Sequence, residues 1–234
     1  MSKNSKLVKN DVVVVAGRQY TLKKSKYATN VSPVHVSDKM SGKMTGIPSV
    51  STSCLANPIC LKRMLDGDSI CAHCFANTTL SRYTDCGKAM LNNTYLLTES
   101  ILPLDMLPLF KSDIARIESF GDVQNVTQSI NYSNMCLINP NTTFAWWSKN
   151  IPIIAKAFDI IGGKPDNVIL IESSPKVNVK LEPSSHYVDK VFTVYSKEYI
   201  IANDIDINCG ARCCNTCRRC YRKDTEADVR EQLK

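Results

Sequence analysis

Apolar positions along this chain fall into two rhythms, and where they alternate the chain reads as strand and helix in turn. Four short segments rich in β-branched and aromatic residues stand out: IARIE (114–118), TFAWW (143–147), VILIE (168–172) and VFTVY (191–195). Between the first two, the spacing predicts a helix over about 124–137. Between the second and third, IPIIAKAFDII predicts a stronger one, stopped by Gly162, Gly163 and Pro165. The third gap is irregular, and a short helix is expected at about 197–203. Strands alternating with helices argue for parallel strands joined by crossovers. Several strands are apolar on successive residues, as expected where both faces are covered.

The flanking regions read differently. VVVVAGRQYTL (12–22) predicts strand, turn, strand. Residues 28–53, rich in Ser, Thr, Pro, Gly and Lys, predict mostly irregular chain. LKRMLDGDSI, after Cys60, reads as a long loop, and residues 86–101 carry near-helical spacing. The charged residues 224–234 read as frayed or weakly helical. The expected fold is therefore α/β: an open, mostly parallel sheet or a partial (β/α) barrel, with cysteine-rich metal-binding extensions at both ends. The expected division is a basic hairpin segment (1–27), one α/β domain (28–220) and a charged tail (221–234).

Composition adds that 234 residues, 44% hydrophobic and 22% charged, suit one ordinary globular domain with small extensions. No apolar run reaches the roughly 18 residues of a membrane span, and the polar, basic start MSKNSKLVKN has no signal-peptide core. A reducing cytoplasm is expected, where clustered thiols serve more often as ligands than as disulfides. The net charge of +7 is uneven. Residues 1–45 hold nine Lys/Arg against two Asp, and residues 209–234 hold seven against four Asp/Glu, which leaves the middle net acidic. Basic ends suit contact with nucleic acid, neutralisation of thiolates, or plain solvation.

Eleven cysteines carry the most specific signal, because nine fall into two groups. The first is Cys54, Cys60, Cys71 and Cys74; the second is Cys209, Cys213, Cys214, Cys217 and Cys220. A thiolate shell needs several sulfurs within about 2.3 Å of one ion, and a C-x-x-C turn supplies two at little entropic cost. Cys214, Cys217 and Cys220 have the compact spacing that wraps a [4Fe–4S] cluster, with Cys209 or Cys213 as fourth ligand. Cys213, Cys217 and Cys220 also match the three-cysteine spacing of radical S-adenosylmethionine enzymes. Zn²⁺ suits the same knuckles. Arg212, Arg218, Arg219, Arg222 and Lys223 would offset thiolate charge. In the first group, Cys71-Ala-His-Cys74 is the specific half, and His73 reads as solvent-facing. Cys86 and Cys136 read as small buried hydrophobes.

The predicted strand ends supply a second candidate site. Ligands of parallel α/β sheets bind beyond the carboxyl ends of the strands. Those ends offer Arg116, Glu118, Ser119, Gly121 and Asp122, then Ser148 and Lys149, then Glu172 and Ser173. Carboxylates would grip an amino group and lysines a carboxylate or phosphate. Gly121 would let the backbone come close.

Several stretches carry a family resemblance: SGKMTGIPSVSTSC (41–54), ICAHCFA (70–76), ARIESFGD (115–122), TFAWWSKN (143–150) and VILIESS (168–174). In this order, the chain resembles the phage and bacterial gene product eighty-eight family. Phe120 is an insertion relative to that family's Ser-Gly-Asp strand end, and Trp-Ser-Lys replaces its Tyr-Thr-Lys. The family's layout looks like a reduced radical S-adenosylmethionine barrel, a likeness of fold alone. Cysteine spacing and this likeness together lead to the expectation of an iron–sulfur protein, a radical S-adenosylmethionine-like enzyme in a cytoplasm, that of the host if phage-encoded, acting on a small molecule or a nucleic acid. The alternative is a zinc-stapled nucleic-acid-binding protein.

Overall fold

The computed structural model describes residues 7–210 and 213–233; the expected cation Arg212 lies outside them. A hairpin of β1 (Val12–Val15) and β2 (Arg18–Thr21) comes first, as its sequence predicts. Its turn puts Ala16 and Gly17 at positive φ, and Val15 and Tyr20 pack into the main core. The hairpin is therefore joined to the domain behind it.

Among the described residues, the main sheet has six strands in chain order, every neighbouring pair parallel. They are β3 (Ser49–Val50), β4 (Ile114–Ile117), β5 (Thr143–Ser148), β6 (Val168–Ser173), β7 (Lys190–Tyr195) and β8 (Asp228–Gln232). β3 and β8 stand at the two edges. Between strands run α1 (Pro58–Met64), α2 (Phe75–Arg82), α3 (Thr84–Glu99), α4 (Val126–Leu137) and α5 (Ile151–Ile161). α6 (Lys197–Asn203) and α7 (Cys214–Cys217) follow β7.

The strand alternation sorts the sheet into two faces. Ala115 and Ile117, Phe144 and Trp146, and Val168 and Leu170 meet Leu96 and Leu97 of α3, Tyr132 and Met135 of α4, and Ile154 and Phe158 of α5. The tandem tryptophans do split between faces: Trp146 is fully buried on this one, while Trp147 packs edge-on to Phe192 on the other. On that opposite face, Ile114, Ala145, Ile169 and Ile171 meet Ile47, Tyr221, Cys214 and Cys220. α5 ends where Gly162 takes a left-handed cap at φ 87°, the stop its sequence announces.

Two local expectations change, and one strand is new. Residues 28–53 are mostly irregular as read, but Ser49–Val50 within them forms the first strand of the sheet. Two residues are too short for any periodic signal, and the buried Ser49, Ser51 and Thr52 disguise it. The stretch after Cys60 continues as helix to Met64. Residues 228–232 are a paired strand rather than a frayed tail. An edge strand needs little apolar surface, and here Val229 supplies it while charged neighbours protect the edge.

Candidate metal centre and strand-end rim

The first cysteine group assembles at the carboxyl end of the first parallel strand. Cys54 lies four residues beyond Val50, in a 3-10 turn whose start is capped by Ser53. Asn57 caps α1, its Oδ1 accepting from the N–H groups of Ile59 (2.9 Å) and Cys60 (3.3 Å). Pro58 follows at the first helical position, where its missing N–H costs nothing. Ser69 accepts from the Cys71 N–H at 3.2 Å and starts the turn that holds Cys71 and His73. Cys74 then caps α2. All four thiols are free. Cys54, Cys60 and Cys74 share a small cluster with Ala76, Leu80 and Met90.

The thiols act on one another. Cys54 donates to Cys74, and the N–H groups of Asn77 and Ala76 also point at the Cys74 sulfur. The bond from Cys54 outweighs burial and brings the Cys74 thiol down to about 6. Cys54 moves the opposite way, upward, for the same shared proton and for its burial. Burial also pushes Cys60 up, with Asp122, Glu118 and Cys71 adding to it and Lys149 opposing it. Lys149 lowers Cys74 as well. Among the described residues, no three His, Cys, Asp or Glu side chains already stand in metal-ligating geometry. The donor chemistry nonetheless fits a soft metal: four reduced thiols, one already favouring its thiolate, beside a lysine.

The rim residues divide by what they touch. Glu118 has a left-handed backbone, φ 60°, which turns its side chain under the helices. Its carboxylate accepts from Thr52 N–H (3.1 Å), Thr52 Oγ1 (2.7 Å), Gly121 N–H (3.2 Å), Gln128 Nε2 (2.9 Å) and Tyr132 OH (2.7 Å). Burial lifts its pKa to about 7 against the pull of those donors. Glu118 therefore ties β3, β4 and α4 together. Gly121 passes so near Thr52 that an added Cβ would lie 2.6 Å from Thr52 Oγ1 and 2.7 Å from its carbonyl oxygen.

Asp122 lies beside the cysteine group and joins three elements. It accepts from Arg63 Nη1 (3.1 Å), Ser148 Oγ (2.5 Å) and Lys149 N–H (3.1 Å). Arg63, on α1 between Cys60 and Cys71, also donates to the Lys149 carbonyl (3.0 Å) and Asn150 Oδ1 (2.7 Å). Sequence reasoning missed this arginine, which sits in what reads as a loop. Ser148 is in register with Glu172, and Glu172 accepts from the Ser184 N–H at 2.8 Å. Ser173 is buried in register with Phe192. Ser119 hydrogen-bonds Ser49 Oγ at 2.8 Å.

Arg116 points to the other face. Its guanidinium lies 4.5 Å over the Trp147 ring, with Nε donating to the Glu118 carbonyl at 3.1 Å and Nη1 contacting the Met44 sulfur at 3.9 Å. That face also carries the second cysteine group. Cys209, Cys214, Cys217 and Cys220 line one small cavity with Lys43, Arg218, Arg219 and Tyr221. Burial raises Cys220 to about 12, with Arg116 opposing, and burial raises Cys209 and Cys214 too. Cys213 is not part of the cavity wall. Its thiol is held below the usual range by the N–H groups of Thr216 and Asn215.

Arg218 pairs with Asp113, the residue before β4. Arg219 pairs with Glu226, and Arg222 with Asp224. The two cysteine groups thus occupy different clusters. Among the described residues, no helix is long and apolar enough to cross a membrane. No known protein family, curated protein or solved structure matches this chain.

Proposed function

We propose that this protein is an iron–sulfur protein whose working centre is the group Cys54, Cys60, Cys71 and Cys74, used in chemistry of the radical S-adenosylmethionine type. One observation carries the reading: this group occupies the connection after the first parallel strand, at the carboxyl edge where ligands of such sheets bind. That position is the one the resemblance's layout would use, and six parallel strands in chain order are compatible with it. A cluster held there would supply an electron to a bound sulfonium. An iron left open for that ligand requires only three of the four thiols.

The chain's own residues would do the rest. The charge of Lys149 favours the thiolates of Cys60 and Cys74. Arg63 and Asp122 fix α1 against the ends of β4 and β5, so the cysteines are held at a set distance from the rim. Ser148, Glu172 and Ser173, buried on adjacent strand ends, shape the polar rim beside the thiols. The substrate class is a small polar molecule or an exposed nucleotide.

The test is anaerobic purification followed by iron and acid-labile sulfide analysis, then reductive cleavage of S-adenosylmethionine. Iron and sulfide lost in C71S and C74S chains, with cleavage in the parent, is the expected result. A colourless parent without iron would sink the reading. A second reading, binding of nucleic acid through the basic segment, draws on the exposed Lys23, Lys24 and Lys26. It requires salt-dependent retention of DNA or RNA.

A further inference from the structure

We infer that Cys209, Cys214, Cys217 and Cys220 form a separate, single-ion Zn²⁺ site that fastens the C-terminal segment and β8 to the sheet, and that Cys213 is outside it. The inference goes beyond the carboxyl-edge reading and stands whether or not that reading holds.

Three independent features lead to it. The first is selection by geometry. Of five cysteines in the segment, four line one cavity and the fifth, Cys213, at the N-cap position of α7, does not. Four thiols with two C-x-x-C spacings make a closed tetrahedral shell, the pattern of a structural rather than a catalytic zinc site.

The second is size. The cavity measures about 30 Å³, the room of one or two water molecules. That is room for a single ion between the thiols. Among the described residues the sulfurs do not yet stand in ligating geometry.

The third is charge. Four thiolates on one Zn²⁺ leave two negative charges, which must be offset where water is scarce. Arg116 is half-buried on this face, and its described partners are a backbone carbonyl, a thioether and an indole ring, none of them a carboxylate. Its electrostatic neighbours include Cys214 and Cys220. Lys43, paired with Glu231 at 2.7 Å, also donates to the Cys209 carbonyl at 3.1 Å and reaches its sulfur at 4.0 Å. A thiolate centre would give Arg116 its counter-charge.

The site also explains why β8 stays in place. Cys209 donates its N–H to the Arg230 carbonyl at 2.9 Å. Tyr221, just past Cys220, is buried against Ile47, Ile114 and Ile169. An ion here would tie both flanks of the segment to the same patch of sheet.

The experiment uses the full chain, grown with iron and zinc both present, purified anaerobically and assayed for each metal. A C71S/C74S chain removes the carboxyl-edge group and separates the two sites. Zinc is expected to remain stoichiometric in the C71S/C74S and C213S chains and to fall roughly tenfold or more in C209S, C214S and C217S chains. Zinc undiminished by C214S overturns the inference. So does zinc lost in C213S and kept in C209S, or iron in place of zinc in the C71S/C74S chain. Should the serine variants fail to fold, Co²⁺ is titrated into zinc-stripped C71S/C74S chain. Intense thiolate-to-cobalt charge transfer with tetrahedral d–d bands is expected, and their absence overturns the inference.

Discussion

At the scale of single residues, the environment sets chemistry that side-chain identity leaves open. Cys74 and Cys54 are both thiols, yet their shared proton drives one down and the other up. In metal-stripped chain, Cys74 should be the first cysteine of its group to react with iodoacetamide at pH 7. Its rate should fall as the pH drops through about 6. The C54S substitution, which exchanges the thiol donor for a hydroxyl, should change that midpoint measurably. Mapping the alkylated cysteines by peptide mass spectrometry checks both statements.

Glu118 shows the same principle with opposite sign. Its folded pKa, about 7, lies above its ordinary value of 4.5. The folded chain therefore holds the proton more tightly than the unfolded chain. The stability this contributes is complete below pH 4.5 and is lost as pH rises through about 7. A Glu118→Gln chain should show a flatter stability profile across that window in urea titrations. An unchanged slope would mean the titrating group lies elsewhere. Gly121 is a steric case: Ala there must displace the Thr52 backbone. Overpacking of this kind costs about 1–3 kcal/mol, and the shift in the urea midpoint measures it.

At the scale of elements, Arg63 decides how the cysteine-bearing connection sits on the sheet. Its fork reaches Asp122, the Lys149 carbonyl and Asn150 from one helix. Lysine cannot reproduce a planar fork with several donors. Arg63→Lys and Arg63→Ala should therefore both loosen α1, by about 1.5–3 kcal/mol for the lost charged hydrogen bonds. Iron binding at the carboxyl edge should weaken in parallel if that edge is the working centre. The pattern was only partly readable here. IPIIAKAFDII predicts α5 because its apolar stripe and its Gly-Gly stop are local signals. α1 escaped because Asp66, Gly67 and Asp68 pull the reading of the whole stretch toward loop. β3 escaped because a strand of two residues has no period.

At the scale of the whole molecule, the parallel sheet separates two thiol centres. One lies beyond the carboxyl end of β3, among rim groups; the other covers the opposite face. If the second group holds the inferred Zn²⁺, its removal should act on β8 before it acts on the interior strands. In hydrogen exchange, chelator-treated chain should lose protection at Asp228–Gln232 first, while β5 and β6, buried on both faces, keep theirs. Equal loss across all strands would count against a local staple.

What the sequence determined by itself is whatever local chemistry encodes: the apolar segments of β4 to β7, the helices α3, α4 and α5, and the grouping of thiols into two sets. What only the tertiary structure decided is which of those groups meet. Glu118 and Asp122 both read as rim carboxylates. A left-handed backbone at Glu118 buries it among five donors, while Asp122 stays beside the cysteines and clasps Arg63. Cys209 and Cys213 read as equal candidates, and only the folded loop puts one in the cavity wall and the other out of it. The reason is physical. Periodicity and spacing are properties of neighbours along the chain, whereas a hydrogen-bond partner or a fourth ligand is fixed by contacts between residues a hundred positions apart.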